Sequence, residues 1–519
     1  MKKLIKSTAL ILVITMILSG CASGEKQSTT TPAEGQTPTA TDAPKERIIK
    51  DTIKVAHWEE PATLDPQASN KVSYFLVQEQ IFNYLVHEDI KGDYTPELAE
   101  SWEYIDDLTL RFKLRTDVLF HNGEKLTAED VKFSIARGCA NPISASIFKY
   151  FDPEATTVVD ENTIDVKFKV PYAGALNVLG SWRGAIVSKK AVEELGDAEF
   201  GRKPVGTGPY KFVEWQSGTV IKLTRNDEYF GTKAITKNVE FRIIPEATNR
   251  VIELETGGVD AAYNISTNDV NKIKENEDLN LLMGPSFRYT LLTFSMKSEK
   301  LQNQKLREAL SYAIDKKSLV DAIYGETAEV ATGVLPKNAF GYKEFEPVSY
   351  DVEKAKQLMI EAGYPNGIEL KFVCEPIEEY TRTAEAIQNM WKEIGVTLDI
   401  HTIENAAYLA QGNEFEVGLR AGNANEPSNI LVIYDSAFKD KIQGNDPYID
   451  AQLAKVASLL NPVERKTALG ELQDYLWNIR FTVPIAFTSV IYATTKNVEN
   501  WEIHPINLTN ISEVTVYED

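Results

Sequence analysis

Apolar and polar residues alternate along several short stretches of the first half of the chain. In Thr163–Val170 (TIDVKFKV), Ile164, Val166, Phe168 and Val170 fall at every second position, as in a strand with one buried face. Leu108, Leu110, Phe112 and Leu114 repeat the pattern in LTLRFKL, and Val239, Phe241 and Ile243 mark a third strand. Thr127-Ala-Glu-Asp130 reads as a capping box opening a helix, with Val131 and Ile135 on its apolar face.

Helical spacing takes over in the second half. Leu306, Leu310, Ala313, Ile314, Val320 and Ile323 form one apolar stripe. Ala355, Leu358, Met359 and Ala362 form another, stopped by Gly363 and Pro365. Ile387, Met390, Trp391 and Ile394 form a third, closed by Gly395 and followed at once by a strand with Val396, Leu398 and Ile400 on one side. Asn461-Pro462 opens a helix carrying Leu469, Leu472 and Leu476. Helix-then-strand units without a fixed-period repeat predict α/β lobes with mixed sheets.

The chain starts differently. Lys2, Lys3 and Lys6 precede an apolar run from Ala9 to Leu18, well short of the roughly 20 residues a membrane span needs. Small residues Ser19 and Gly20 then lead to Cys21, the order of an export leader. LSGC resembles the lipobox of bacterial lipoproteins, which implies a lipid on Cys21; the alternative is a plain leader with a chance cysteine. From Ala22 to Glu46 the only apolar side chains are alanines, so this stretch is expected to be a disordered tether.

A chain of 519 residues exceeds what a single core sustains, so two or three domains are expected. The formal charge is −21, and loss of the three leader lysines makes it −24. That argues against nucleic acid or an anionic lipid surface as partner. Beyond Cys21 only Cys139 and Cys374 remain, too few for a disulfide framework, and a chain with a large core does not need one.

Catalytic signals are sparse. His57, His87, His121, His401 and His504 are scattered, with no HExxH; CxxC and GxSxG are also missing. Ser146-Ile-Phe-Lys149 matches the SxxK of penicillin-binding serine hydrolases but lacks the supporting SDN and KTG. In Gly206-Thr-Gly-Pro-Tyr210 the last glycine of a nucleotide loop is missing and Pro209 has no N–H for a phosphate, so a turn into strand Tyr210 to Trp215 is expected. No cofactor or metal is implied.

Seven stretches in order carry a resemblance: Leu64-Asp65-Pro66, PELAESW at 96–102, FHNGEKLTAEDV at 120–131, PVGTGPY at 204–210, NDEYF at 226–230, Gly258-Val-Asp260 and LREAL at 306–310 before Ala313-Ile-Asp315. Together they resemble the extracellular solute-binding proteins of peptide and nickel ABC importers. The resemblance implies an α/β, two-lobed type II periplasmic-binding-protein fold with an extra domain in the first lobe and hinge closure around the ligand. It implies a leader over 1–20, the lipidated tether over 21–46, lobe one over 47–290 (extra domain about 87–190), lobe two over 291–485 and a return to lobe one over 486–519. The expected protein is a monomeric, non-enzymatic receptor, lipid-anchored outside the cytoplasmic membrane at the cell surface or in the periplasm. Its partners would be a solute and the permease subunits of an importer.

In this family the segment after LDP supplies backbone contacts to a peptide, here Asn70, Lys71 and Val72 with Tyr74 close by; ordinary core packing is the alternative for Tyr74. Trp182 and Arg183 fall where some members turn a side chain into the cleft, and an arginine there would fork onto a carboxylate, unless it is a surface arginine. Tyr289 lies in YTLLT, which resembles the strand crossing between lobes, and either lines the cleft or packs in the hinge. Peptide binders usually anchor the ligand's α-amine on an Asp within a Trp-x-x-Asp-Tyr-x-Asp/Glu-Pro motif. This chain departs from it, reading LRAGNANEP over 419–427. Either Glu426 takes over the anchor or no charged anchor exists, with Asn423 near the Asp position and Arg420 adding a repelling charge. Oligopeptides are the leading ligand. Nickel chelates, oligosaccharides (with Trp58, Trp182 and Trp391 as platforms) or opine-like compounds, a signalling-peptide sensor, and an SxxK hydrolase are the alternatives.

Overall fold

The computed structural model describes residues 47–69, 71–89, 92–404, 407, 414–437, 446–506 and 508–518. The leader, Cys21, the tether and Asn70 lie outside the described residues. Among the described residues, eleven strands join into one mixed sheet. On one side Thr52–His57 runs parallel to both Asn238–Ile243 and Ala261–Ala262. The sheet continues antiparallel through Val220–Arg225 to Tyr210–Gln216. On the other side Ile368–Cys374 runs parallel to Val396–Thr402 and Val417–Asn423. Two long antiparallel strands, Leu279–Phe294 and Thr482–Thr495, join the two sides.

These crossing strands have an irregular middle. Pro285 pairs with Ser489 and Tyr289 with Phe487, so Ser286, Phe287 and Arg288 oppose Thr488 alone. Pro285 has no N–H to give to the ladder. The Ser286 hydroxyl accepts from the Arg288 N–H at 2.9 Å and donates to the Thr488 carbonyl, replacing ladder bonds. A bulge of this kind bends a strand and raises its twist, and it falls where one core gives way to another. One buried cluster holds Tyr289, Leu310, Trp391, Leu472 and Phe487. A separate one holds Ile53, Tyr210, Phe241, Tyr492 and Trp501. A third, with Leu110, Phe112, Val131, Ile135 and Ile164, lies under a four-stranded antiparallel sheet, Ala99–Asp106, Thr109–Leu114, Thr163–Lys167 and Thr157–Asp160. The molecule is thus a two-lobed α/β fold with an extra domain built on the first lobe.

Most of the predicted elements form where the patterning placed them. The helix Ala128–Ala140 starts on the capping box: Asp130 accepts from the Thr127 N–H at 3.0 Å and its hydroxyl at 2.8 Å. The stripe from Leu306 to Ile323 is instead two helices, Gln304–Tyr312 and Lys316–Ile323. Asp315 causes the break. Its carboxylate accepts from the Ser318 N–H at 3.0 Å and so caps the second helix. Cys139 and Cys374 are both free, in agreement with the composition. No described helix is long and apolar enough to cross a membrane.

Candidate functional site

A cavity of about 890 Å³ lies between the lobes, within the usual size range of small-molecule sites. The helix Val72–Ile81 contributes Val72, Phe75 and Glu79 to its wall. The extra domain adds Tyr150, Tyr172 and Trp182, lobe two adds Asn423, Asn425 and Val432, and the C-terminal segment adds Glu502, His504 and Thr509.

Trp182 sits in a single helical turn, Trp182–Gly184, that packs tightly on the extra domain. A Cβ at Gly184 would stand 2.1 Å from the Val178 carbonyl oxygen, so only glycine permits this approach. The turn lays the Trp182 ring on Phe75, with centroids 4.1 Å apart and planes at 22°. The indole Nε1 is buried without a hydrogen-bond partner, and so is Nε of the next residue, Arg183. Arg183 lies over the Trp182 ring at 5.4 Å, and burial pulls its guanidinium down to about 10. Both residues line the cavity, as does Val72.

Asn423 ends the strand Val417–Asn423 opposite Arg288 and also lines the cavity, with its Oδ1 buried and unpartnered. Tyr289 is buried in the lobe-two core, where its ring crosses Gly422; a Cβ there would come within 2.5 Å of the ring. It is part of the hinge packing and not of the wall. Arg420 pairs with Leu291 in the same ladder and is engaged in an interaction of its own.

Other expected contacts are placed elsewhere. Lys71 stands just before the helix Val72–Ile81, with its ammonium on Glu59. Tyr74 is 8% exposed and off the wall, which is the packing alternative. Glu426 is 5% exposed and already committed. Its Oε1 accepts from the Ser428 N–H at 3.0 Å and hydroxyl at 2.7 Å, starting the short helix Pro427–Ile430. Both its oxygens face the guanidinium of Arg465, itself 7% exposed. Glu426 therefore balances a buried arginine within lobe two. Trp391 is fully buried, donating to the Leu310 carbonyl at 3.0 Å, and Trp58 stacks on His57 at 5.0 Å; neither forms a platform in the cavity.

The wall is strongly acidic. Glu79, Glu88 and Glu97 line it with Asp89, Asp435, Glu502 and Glu513, against Lys149 and Arg183 as the only described Lys or Arg. Glu88 bridges the lobes: Oε1 accepts from Asn425 Nδ2 at 2.6 Å and Oε2 from Asn177 Nδ2 at 2.9 Å. Asn177 also donates to Asn425 Oδ1 at 3.1 Å, closing a three-residue ring. Burial pushes Glu88 up to about 7 despite these donors, with Glu426 adding to the rise. Tyr84 joins the other two glutamates: its hydroxyl donates to Glu79 and its N–H to Glu97 at 3.2 Å. Asn83 donates to Glu97 at 2.7 Å and is held by the Thr207 hydroxyl at 2.9 Å.

Sequence reasoning passed over these glutamates. Glu97 lies inside the PELAESW stretch that carried the resemblance, and Glu79 sits among apolar residues of a nearly all-buried helix, the one available signal. His87 and His504, far apart in sequence, both reach the cavity. Among the described residues no group of three or more His, Cys, Asp or Glu is arranged to hold a metal ion. Ser146 and Lys149 also line the cavity, with the Lys149 ammonium 4.7 Å from the Tyr150 ring centroid.

Residues 93–442 match the model of bacterial extracellular solute-binding proteins, family 5. Heme-binding protein A of Haemophilus influenzae is 30% identical over 521 aligned residues, covering 93% of this chain and 94% of that protein. The glutathione-binding protein GsiB of Pectobacterium atrosepticum is 26% identical, covering 88% of this chain and 92% of that protein. Among solved structures, the ABC transporter substrate-binding protein CtaP of Listeria monocytogenes superimposes with a TM-score of 0.83 at 24% identity, over 91% of this chain and all of that one. The two-lobed fold, the interlobe cavity and these matches agree: the chain belongs to the family 5 bacterial extracellular solute-binding proteins, the receptors of ABC importers.

Proposed function

We propose that this receptor is held outside the membrane by a lipid on Cys21, takes up peptides in the interlobe cavity and hands them to permease subunits when the lobes close. The lobes in this reading are 47–290 with 486–519, and 291–485. The separation of their cores supports a division of this kind, with Tyr289, Ala486 and Phe487 packing on the lobe-two side of it. The bulged strands Leu279–Phe294 and Thr482–Thr495 act as the hinge.

One observation carries the ligand reading. Trp182 Nε1 and Arg183 Nε from the extra domain and Asn423 Oδ1 from lobe two are buried polar atoms of cavity-lining residues, and none has a partner among the described residues. Such groups cost about 1–3 kcal/mol each when left unmet. A peptide offers carbonyl oxygens to the two donors, an N–H to the acceptor and a carboxylate to the guanidinium. The rest of the wall, wide and mixed in polarity, leaves side chains to water. Val72 contributes apolar surface.

The test is direct. The Cys21→Ala chain is purified without added solute and denatured, and the released small molecules are identified by mass spectrometry. A mixed population of peptides is the expected result. A single non-peptide compound would reject the peptide reading and leave the receptor class standing. The relatives named for heme and glutathione make those two compounds the first to look for.

A further inference from the structure

The cavity wall contains three glutamates whose hydrogen bonds, among the described residues, come from neutral donors. Both oxygens of Glu88 are taken up by the Asn425 and Asn177 amides, which leaves Glu79 and Glu97. Glu79 accepts from the Tyr84 hydroxyl. Glu97 accepts from Asn83 Nδ2 at 2.7 Å and from the Tyr84 N–H at 3.2 Å. No lysine or arginine among the described residues forms an ion pair with either. The pair is firmly built. Tyr84 is 4% exposed and reaches both carboxylates, Asn83 is 4% exposed, and Thr207, fully buried, fixes the Asn83 amide. Tyr229 closes the far side through its hydroxyl, 3.2 Å from Asn83 Nδ2.

Two carboxylates at the two ends of Tyr84, with no cation paired to either, oppose one another, and removal from water makes each costlier. Burial pushes Glu79 up to about 7 and Glu97 to about 8, the second raised further by the charge of the first. At two other buried carboxylates such costs are met by an arginine. Asp65 is 1% exposed and is gripped by Arg137, and Glu426 is gripped by Arg465. The glutamate pair differs in facing the cavity, where a solute can supply the missing charge. The same cavity carries the unpartnered buried N–H groups of Trp182 and Arg183, an independent sign that its wall is completed from outside the chain.

We infer that Glu79 and Glu97 form a subsite for an organic cation, an ammonium or guanidinium group of the bound solute. The inference rests on the cavity being the solute site. It gives the ligand a sign of charge: peptides with a basic side chain, and small polyamines, are preferred over solutes of equal size without one. A metal ion is a poorer match, because no metal-holding group of His, Cys, Asp and Glu is found among the described residues.

To test this, the full chain is stripped of solute in mild denaturant. It is then offered an equimolar library of random tripeptides together with spermidine and agmatine, and the captured species are identified by mass spectrometry. The expected result is enrichment of Lys- and Arg-containing peptides, or of the two amines. Capture of peptides without that enrichment overturns the inference and leaves the peptide reading intact. Capture of nothing overturns both. The double variant Glu79→Gln, Glu97→Gln, which keeps shape and hydrogen bonding, is then titrated with Ala-Lys-Ala and with the neutral Ala-norleucine-Ala. We expect the lysine peptide to weaken by about 10-fold or more and the neutral one to stay within about 2-fold. Equal losses for both would overturn the assignment as a charge-specific subsite.

Discussion

Glu426 and Arg465 are an ion pair almost without solvent, at 5% and 7% side-chain exposure. Replacing Glu426 by Gln leaves a guanidinium in the lobe-two interior without its counter-charge. Breaking one half of such a pair costs about 3–5 kcal/mol. The expected outcome of Glu426→Gln is therefore a loss of unfolding free energy of about 3 kcal/mol in urea, with affinity for a neutral peptide changed less than about 3-fold. A fall of about 10-fold in affinity for amino-terminated peptides, with stability unchanged, would restore Glu426 as the amine anchor. The sequence singled out Glu426 because Glu-Pro survives in an otherwise altered loop. It held no sign of Arg465, which comes from the helix Pro462–Ile479 and meets Glu426 only through the packing of lobe two. The glutamates of the cavity wall escaped for the same reason. A glutamate on a helix or at a strand edge reads as solvated until tertiary burial is known, whereas Trp182, Arg183 and Asn423 were legible through the family motifs that place them.

Elements were easier to read than contacts. Alternation revealed the strands Thr109–Leu114, Thr163–Lys167 and Asn238–Ile243 because each has one buried face, and Gly363 and Gly395, both at positive φ, marked helix ends. The split at Asp315 was hidden because its two helices keep their apolar residues in phase across the break. Between elements, the Glu88 ring joins two elements of the extra domain through Asn177 and ties them to lobe two through Asn425. We expect this geometry to make closure depend on pH. Here burial raises the Glu88 carboxyl from its ordinary 4.5 to about 7, and an opening that hydrates it would return it toward the lower value. A raised carboxyl favours the closed form below the lower value and loses that contribution as pH rises through the higher one. Solute-free protein should therefore shift toward the open form between about pH 5 and 8, read as an increase in radius of gyration by small-angle X-ray scattering. Glu88→Gln should flatten that dependence. A dependence of equal size in the variant would assign the titration to another group.

At the scale of the whole molecule, two bodies with separate cores are joined by a pair of strands that lose register at Pro285–Tyr289. Strain from relative motion concentrates where ladder bonds are already replaced by the side chain of Ser286, so the rest of the sheet need not deform. No described helix is long and apolar enough to span a bilayer, and the net charge opposes an anionic surface. In the proposed reading a lipid on Cys21 holds the body at the membrane; a single acyl chain gives marginal binding and two or more give stable anchoring, so that reading calls for more than one chain there. Cys21→Ala, which leaves the leader and the tether composition intact, should move the protein from the membrane pellet to the soluble extracytoplasmic fraction with the same melting temperature. Persistence in the pellet after a high-salt wash would show that the body itself holds the membrane. In that case the acidic surface would have to be bridged to it by a protein partner, with the permease the first candidate to test by cross-linking.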